Sequence, residues 1–361
     1  MRRRDNFLFL LYDGIDGFNY MSKMAYKIAL LIGVIITGIF LGCSRAEAAP
    51  PEYIIRLASL APAESCWGDF AQKVKSYIEE RSRGRAKIIW YMSGVAGDEP
   101  VVLKKIQKGE LQGAVLTING MGLVNPELRV LLLPFLIQNY AEEDFILDSM
   151  FPEFKQLAEE KGYALLGFTE VGFNRIFTKE PVQSIQDLSR LKMWTWGGED
   201  LVESVLQDVG FTHTVPLPLL DVKNALEKGT VTAYYCPCYA QAGLQWYRNA
   251  GYMSDYTFGY SPGAVVIDKK YFQSLPPDIQ NTVRQAMDFI LKPLRVIVRD
   301  EEEKACRILV RRGMKANKSS PEFIAELKRR SNQLYYKYAD KEYRRELLQK
   351  IIDRLREFRS R

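Results

Sequence analysis

The sequence predicts an α/β protein of two lobes joined by a long helix and followed by C-terminal helices. Three observations carry this. Strands alternate with amphipathic helices from Ile54 onward, the grammar of βαβ units and a parallel sheet. A helix, a Lys-Gly stop and a buried strand occur at Val102–Val115 (VLKKIQKGELQGAV) and again at Val222–Tyr235 (VKNALEKGTVTAYY), one unit in each half of the chain. From Pro276-Pro277-Asp278 to about Arg312, apolar residues recur at helical spacing (Ile279, Val283, Met287, Ile290, Leu291, Leu294), with Pro293 as an expected kink and Gly313 as the stop.

Composition narrows the chemistry before any element is placed. The 361 residues carry a net charge of +6, one His and five Cys, with 47% apolar residues. A single His, His213, leaves no His-rich metal site, and any Ser-His-Asp or Cys-His catalysis would have to use it. It sits in a Thr-His-Thr stretch and reads as structural. The Cys residues have neither a CxxC pair nor regular spacing, so no disulfide framework or zinc ribbon is expected, and no cofactor or metal. Residues 322–361 hold twelve Lys/Arg against seven Asp/Glu, so much of the positive excess lies in a helical tail and the body is near neutral. That pattern argues for a solvated helix face over a nucleic-acid surface.

Residues 1–48 read as a leader and signal peptide. Lys23 and Lys27 precede the apolar run Ile28–Gly42, and Ala46-Glu47-Ala48 is a small-x-small cleavage site. The run is shorter than the roughly 20 residues of a membrane span. An uncleaved anchor and lipidation at Cys43 are the alternatives, and translation from Met21 or Met24 would shed the residues preceding the signal. The expected location is the periplasm.

In chain order, Ile54–Ala61 is a strand, and Ser65 opens a helix whose Trp67, Phe70, Val74, Tyr77 and Ile78 share one face. Ala86–Met92 is a strand, Glu99–Lys108 a helix and Gly113–Ile118 a strand stopped by Asn119-Gly120. Helices cover about 142–161. Tyr163–Phe168 and Asn174–Thr178 read as two extended runs separated by Gly172-Phe173. Leu191–Trp196 is a strand closed by Gly197-Gly198, followed by a helix over 199–209, a strand at Phe211–Val215, a helix at Leu219–Lys228 and a strand at Val231–Cys236. An extended return through Tyr252–Ile267 leads to the long helix, and two more helices follow from Ser320 and Asp340. The expected division is lobe I at 49–172 completed by 262–315, lobe II at 173–261 and a helical extension at 316–361.

An exported chain of two α/β lobes and a connecting helix suggests a periplasmic solute-binding protein. Specific segments sharpen this. Thr178-x-x-Pro181-Val182 followed by Leu188-x-x-Leu191-Lys192-Met193 resembles the "TxxPI … DLKGLKIR" region of the solute-binding subunits of TRAP transporters (the DctP-like family). Pro216-Leu217-Pro218 with Val222-x-x-Ala225-Leu226-x-x-Gly229-x-Val231 resembles their "PxP … VYxALQxGxVDG" stretch. Leu131–Leu136 (LLLPFL) is similar to "FDLPFLF", and Ala264–Phe272 (AVVIDKKYF) to "LVINKKFW". The order holds from about Tyr53 to Met314. The resemblance implies a ligand cleft between two lobes, no catalysis, and delivery of the ligand to TRAP membrane subunits.

The departures bear on the ligand. Trp194 stands where the family usually places an Arg that pairs with a ligand carboxylate, and Cys236 where it usually places Asn. This resembles a branch carrying "KMWxW", whose members can work with a periplasmic helical-repeat partner. The implied site is aromatic-lined and suited to a less polar ligand. The expected ligand-binding residues are Trp67, Asn119, Arg175, Trp194, Trp196, Tyr234, Tyr235 and Cys236. Trp194 and Trp196 alternate on one strand and so share a face, against core packing as the alternative. Arg175 matches the Arg of the family's "GFRxxT" with a one-residue shift and is either an anion contact or an outward-facing structural residue. A scaffold or sensor of the same fold, and an exported lyase or hydrolase, are the competing functions.

Overall fold

The computed structural model describes residues 50–198 and 200–361. The expected leader, its cleavage site and Cys43 lie outside the described residues.

The first lobe begins with β1 (Tyr53–Ser59), whose Ile55 and Leu57 are fully enclosed. Helix α1 (Cys66–Arg81) buries Trp67, Phe70, Val74 and Ile78 against it, the 3–4 spacing of one helical face. Gly68 lets the preceding loop close onto α1, since a Cβ there would lie 1.8 Å from the Ala63 carbonyl oxygen. After β2 (Ala86–Tyr91), Asp98 caps α2 (Glu99–Gln107), accepting a hydrogen bond from the Glu99 N–H at 2.8 Å. Strand β3 (Gly113–Thr117) runs directly into α3 (Ile118–Val124), and a 3₁₀ turn over Pro126–Leu132 leads to α4 (Tyr140–Ser149) and α5 (Phe151–Glu160).

Strand β4 (Tyr163–Thr178) is one 16-residue strand where two extended runs were expected. Gly172, at φ +124, absorbs the interruption: the ladder slips in register between Glu170 and Gly172, a bulge that bends the strand without ending it. The second lobe follows with α6 (Ile185–Ser189), β5 (Lys192–Trp196), α7 (Asp200–Val209), β6 (His213–Leu217), α8 (Val222–Lys228), β7 (Ala233–Cys236) and α9 (Cys238–Leu244). The chain returns through β8 (Tyr252–Ser254) and β9 (Gly259–Asp268), then α10 (Lys269–Ser274).

The main strand path is β2-β1-β3-β9-β4-β7-β5-β6. In the first lobe β1 pairs in parallel with β2 and β3; in the second, β5 pairs in parallel with β6 and β7. In both, the third strand (β3 or β7) then meets an antiparallel crossing strand, β9 or β4. The recurring sequence unit is therefore α2–β3 in one lobe and α8–β7 in the other. Gly109 and Gly229 end the two helices at φ +75 and +72, the left-handed backbone a helix stop favours.

Helix α11 (Pro277–Arg311) continues through Pro293 and is about 50 Å long at 1.5 Å per residue. It packs on α1 at one end and on β4 and α9 further along, so it spans both lobes. Strand β10 (Lys315–Asn317) pairs with β8. Helix α12 (Pro321–Lys337) lies on α7 of the second lobe, and α13 (Arg345–Arg359) on α4 of the first. The apolar stripe of α13 is consumed by this packing: Leu348, Ile351 and Leu355 are buried and Phe358 stacks on Phe145 at 5.0 Å. Among the described residues no helix is long and apolar enough to cross a membrane.

A candidate interlobe ligand cleft

A cavity of about 370 Å³ opens where the parallel strands end, with Ser59, Thr117, Trp196 and Cys236 (the last residues of β1, β3, β5 and β7) on its wall. Carboxyl ends of parallel strands are where open α/β sheets hold ligands, because the connecting loops diverge there.

The walls are aromatic. Trp194 and Trp196 project from the same face of β5 with ring centres 5.4 Å apart. Tyr235 of β7 stacks on Trp194 at 5.6 Å, and Trp246 meets Trp194 edge-on at 5.2 Å. From the other side Trp67 of α1 approaches Tyr239 of α9 at 5.0 Å. The indole N–H of Trp67 donates to the Glu170 carbonyl at 3.1 Å, and that of Trp194 to the Leu217 carbonyl at 3.1 Å. Both polar handles thus serve the fold, and the Trp194 ring, 1% exposed, is enclosed by Tyr235, Trp196 and Trp246.

The floor is polar. Thr117, Thr169, Asn119 and the pair Asn174–Ser261 (2.8 Å) line it, with Glu99 accepting hydrogen bonds from the Thr117 backbone N–H and, at 2.8 Å, its hydroxyl. No Lys, Arg or His is among the described residues lining this cavity. A recess of about 30 Å³ adjoins it and shares Asn174 and Tyr235; Arg129 lies in its wall, with Glu342 at 3.8 Å.

Six of the eight expected residues meet in this cavity: Trp67, Asn119, Trp194, Trp196, Tyr235 and Cys236. Asn119 sits in the first turn of α3 rather than at a strand end. Two lie elsewhere, for the same physical reason, the two-residue alternation of strands. Tyr234 points away from its neighbour Tyr235 into the core, stacked on Phe177 at 5.2 Å with its hydroxyl donating to Gln241 at 2.6 Å. Arg175 points away from cavity-lining Asn174 and donates to the Ser254 carbonyl at 2.9 Å. Thr169, Asn174 and Ser261 escaped the sequence reading because only the register of β4 against β9 brings them together, and Tyr239 because α9 is carried to the cleft by tertiary packing. Arg129 left a readable signal, a lone charge at the head of the apolar run Arg129–Phe135.

One wall is covalently fixed. Cys238, at the start of α9, forms a disulfide with Cys306 of α11. No such bridge was expected, since the partners lie 68 residues apart with no framework around them. Buried Glu302 of α11 accepts hydrogen bonds from the N–H groups of Cys238 (2.8 Å) and Tyr239 (2.7 Å). Cys238, Glu302 and Cys306 are close enough to share a metal ion, but the two sulfurs are bonded to each other. Cys236 is a free thiol, pushed well up from the ordinary value by burial.

Beneath Trp67 lies a buried charge cluster. Arg299 of α11 reaches Glu143 and, at 2.7 Å, Asp144 of α4, and Glu170 of β4 at 3.0 Å. Burial raises the carboxyl pKa of both Glu143 and Glu170, Glu170 further through the Glu143 charge.

The family model for bacterial extracellular solute-binding protein, family 7 (DctP) matches residues 57–342. The chain belongs to that family. Among the relatives of this solute-binding protein, the 2,3-diketo-L-gulonate-binding periplasmic protein YiaO of Escherichia coli is 24% identical over 236 residues, covering 65% of this chain and 71% of YiaO. The sugar acid binding protein DctPAm of Advenella mimigardefordensis, solved with galactonate, has the same fold: TM-score 0.79 at 20% identity, covering 85% of this chain and 99% of that one. A TRAP periplasmic solute-binding protein of Sulfurospirillum deleyianum, solved with succinate, superposes with a TM-score of 0.77 at 18% identity, over 83% of this chain and 98% of that one. The two-lobe solute-binding architecture expected from the sequence is thus the one observed.

Proposed function

We propose that this family 7 protein captures a small organic molecule with substantial apolar or aromatic surface in the interlobe cleft, in the periplasm, and delivers it to TRAP-type membrane subunits without chemical change. The observation that carries this is the composition of the cleft: five aromatic rings on its walls besides Trp246, and no Lys, Arg or His among its described lining residues. The relatives named above are described with acids. A guanidinium suits such ligands by its bidentate geometry, and here Trp194 occupies the matching stretch.

Capture would proceed by closure of the lobes about Gly172 and the Tyr260–Gly263 segment, where the β4–β9 ladder slips. The division into lobe I (49–172 with 262–315), lobe II (173–261) and extension (316–361), the cleaved leader, and docking to a helical-repeat partner belong to the same proposal. A second reading, an organic acid as in the relatives' names, is favoured by Arg129 in the adjoining recess.

The test is native mass spectrometry of the freshly purified mature chain. A co-purified small molecule should be retained by the unaltered protein and lost from Trp194→Ala and Tyr235→Ala variants that still unfold cooperatively. Retention in both variants would refute the site. A retained molecule bearing a carboxylate would decide for the second reading.

A further inference from the structure

We propose that the outer face of α11 pairs with the same face of a second copy of this chain, antiparallel about a two-fold axis beside residue 290. The inference goes beyond the ligand reading and does not depend on it.

Helical spacing sets the face. Phe289, Pro293 and Val296 stand at intervals of four and three, so they form one strip along α11. The opposite side of the helix is spent on the core through Met287, Leu291, Leu294 and Val298. Phe289 is 70% exposed and Val296 65%, with Ile297 half-exposed at the edge of the strip. Tyr77 of α1 lies beside Phe289, ring centres 6.2 Å apart, and widens the strip onto the neighbouring helix. Single exposed apolar residues are ordinary, whereas a contiguous strip that includes an aromatic ring marks an interaction surface. Neither Phe289, Pro293 nor Val296 is on the wall of the cleft.

Two charges choose the occupant. Asp288 and Lys292 are exposed on one flank of the strip, one turn apart. No ion pair between described residues includes either of them. They stand at equal distances on the two sides of residue 290. With two helices antiparallel and the axis there, Lys292 of each copy falls opposite Asp288 of the other, and both pairs form together. The two Phe289 rings meet next to the axis, with Pro293 beside them and Val296 extending the contact outward. A parallel arrangement would set Asp288 against Asp288 and Lys292 against Lys292, which repel. The strip therefore matches itself in one direction only.

The contact is small. One helix strip and its flank offer less than the about 800 Å² per partner of a standard stable interface. Exposed ion pairs add little each. A Kd on the order of tens of micromolar follows. Because α11 packs on α1 at this end, the contact joins first lobe to first lobe and leaves both second lobes free to move.

Analytical ultracentrifugation of the mature chain tests this over a concentration range that brackets that Kd, at low salt. The weight-average mass should rise from one chain toward two. Phe289→Ser should weaken association at least about tenfold with an unchanged melting temperature, since the ring is mostly in solvent. Lys292→Asp and Asp288→Lys should each weaken it about as much by placing like charges opposite one another. The double variant Asp288→Lys/Lys292→Asp should restore the wild-type affinity, which a merely structural role for either residue would not do. A chain that stays monomeric at several hundred micromolar overturns the proposal. So does a dimer that Phe289→Ser leaves intact, which would lie on another face. Failure of the double variant to recover overturns the antiparallel register.

Discussion

Glu302 shows how one side chain can serve structure against its own ionisation. It accepts two backbone N–H groups at the start of α9, which favour the charged form, yet burial dominates and its pKa is pushed up to about 7. An acid raised in the folded state holds its proton there while the unfolded chain releases it. Its contribution to stability is therefore complete below about pH 4.5 and is lost as pH rises through 7. At 1.36 kcal/mol per unit this amounts to at most about 3 kcal/mol. Between pH 4.5 and 8, urea unfolding should show the unaltered protein losing up to that amount relative to Glu302→Gln; parallel pH profiles for the two would contradict the assignment. Legibility at this scale was uneven. Trp194, Trp196 and Tyr235 could be read because alternation along a strand is local. Tyr234 and Arg175 were misplaced by one step of the same alternation, since the sequence does not say which of two adjacent residues faces the cleft. Thr169 and Gly263 could not be read at all, because they meet only through register between strands 94 residues apart in the chain.

At the scale of elements, crossing strand β4, α4 and the long helix are tied together by Arg299. Its guanidinium joins α4, β4 and α11 through Glu143, Asp144 and Glu170, and lies over the Tyr140 ring at 4.5 Å. Removing one partner of a buried ion network strands the others without compensation. Arg299→Met should cost about 3–5 kcal/mol at pH 8. At pH 5 the cost should be smaller, because burial favours the protonated form of Glu143 and Glu170 and acid fills it further, reducing the negative charge left without a counter-charge. Guanidinium unfolding at both pH values reads the difference, and equal losses would count against the network. The long helix was legible from its apolar period alone. β4 was read as two runs because a glycine in a strand signals either a break or a bulge, and only the partner strand decides. The Cys238–Cys306 bridge was hidden because it joins two helices packed in space and distant in sequence.

For the whole molecule, the duplicated sequence unit proved the better guide: Lys-Gly at 108–109 and 228–229 mark the same place in two sheets of the same local order. Across the mouth of the cleft the lobes are clasped by two bonds. Asp98 accepts from the Leu219 N–H at 2.9 Å, and the Tyr239 hydroxyl accepts from the Cys66 N–H at 3.2 Å. Asp98→Asn keeps an oxygen for the cap of α2 and turns its other atom into a donor facing the Leu219 N–H. About 1 kcal/mol removed from the closed form is roughly a fivefold shift toward the open one. Small-angle scattering should then give a larger radius of gyration, with a melting temperature close to that of the unaltered protein. An unchanged radius would mean that the clasp does not hold the lobes together.

The bridge between α9 and α11 also bears on the order in which the cleft can come into being. A chain grows from its N-terminus, and by residue 246 every aromatic wall residue has been made. The strand that completes the floor, β9, ends only at Asp268, and the sulfur that fastens the α9 wall arrives with Cys306. Until then the indole rings of a nascent chain have no closed space to face. The cleft is thus finished by the last third of the polypeptide, and an interrupted chain would expose these rings as a sticky surface.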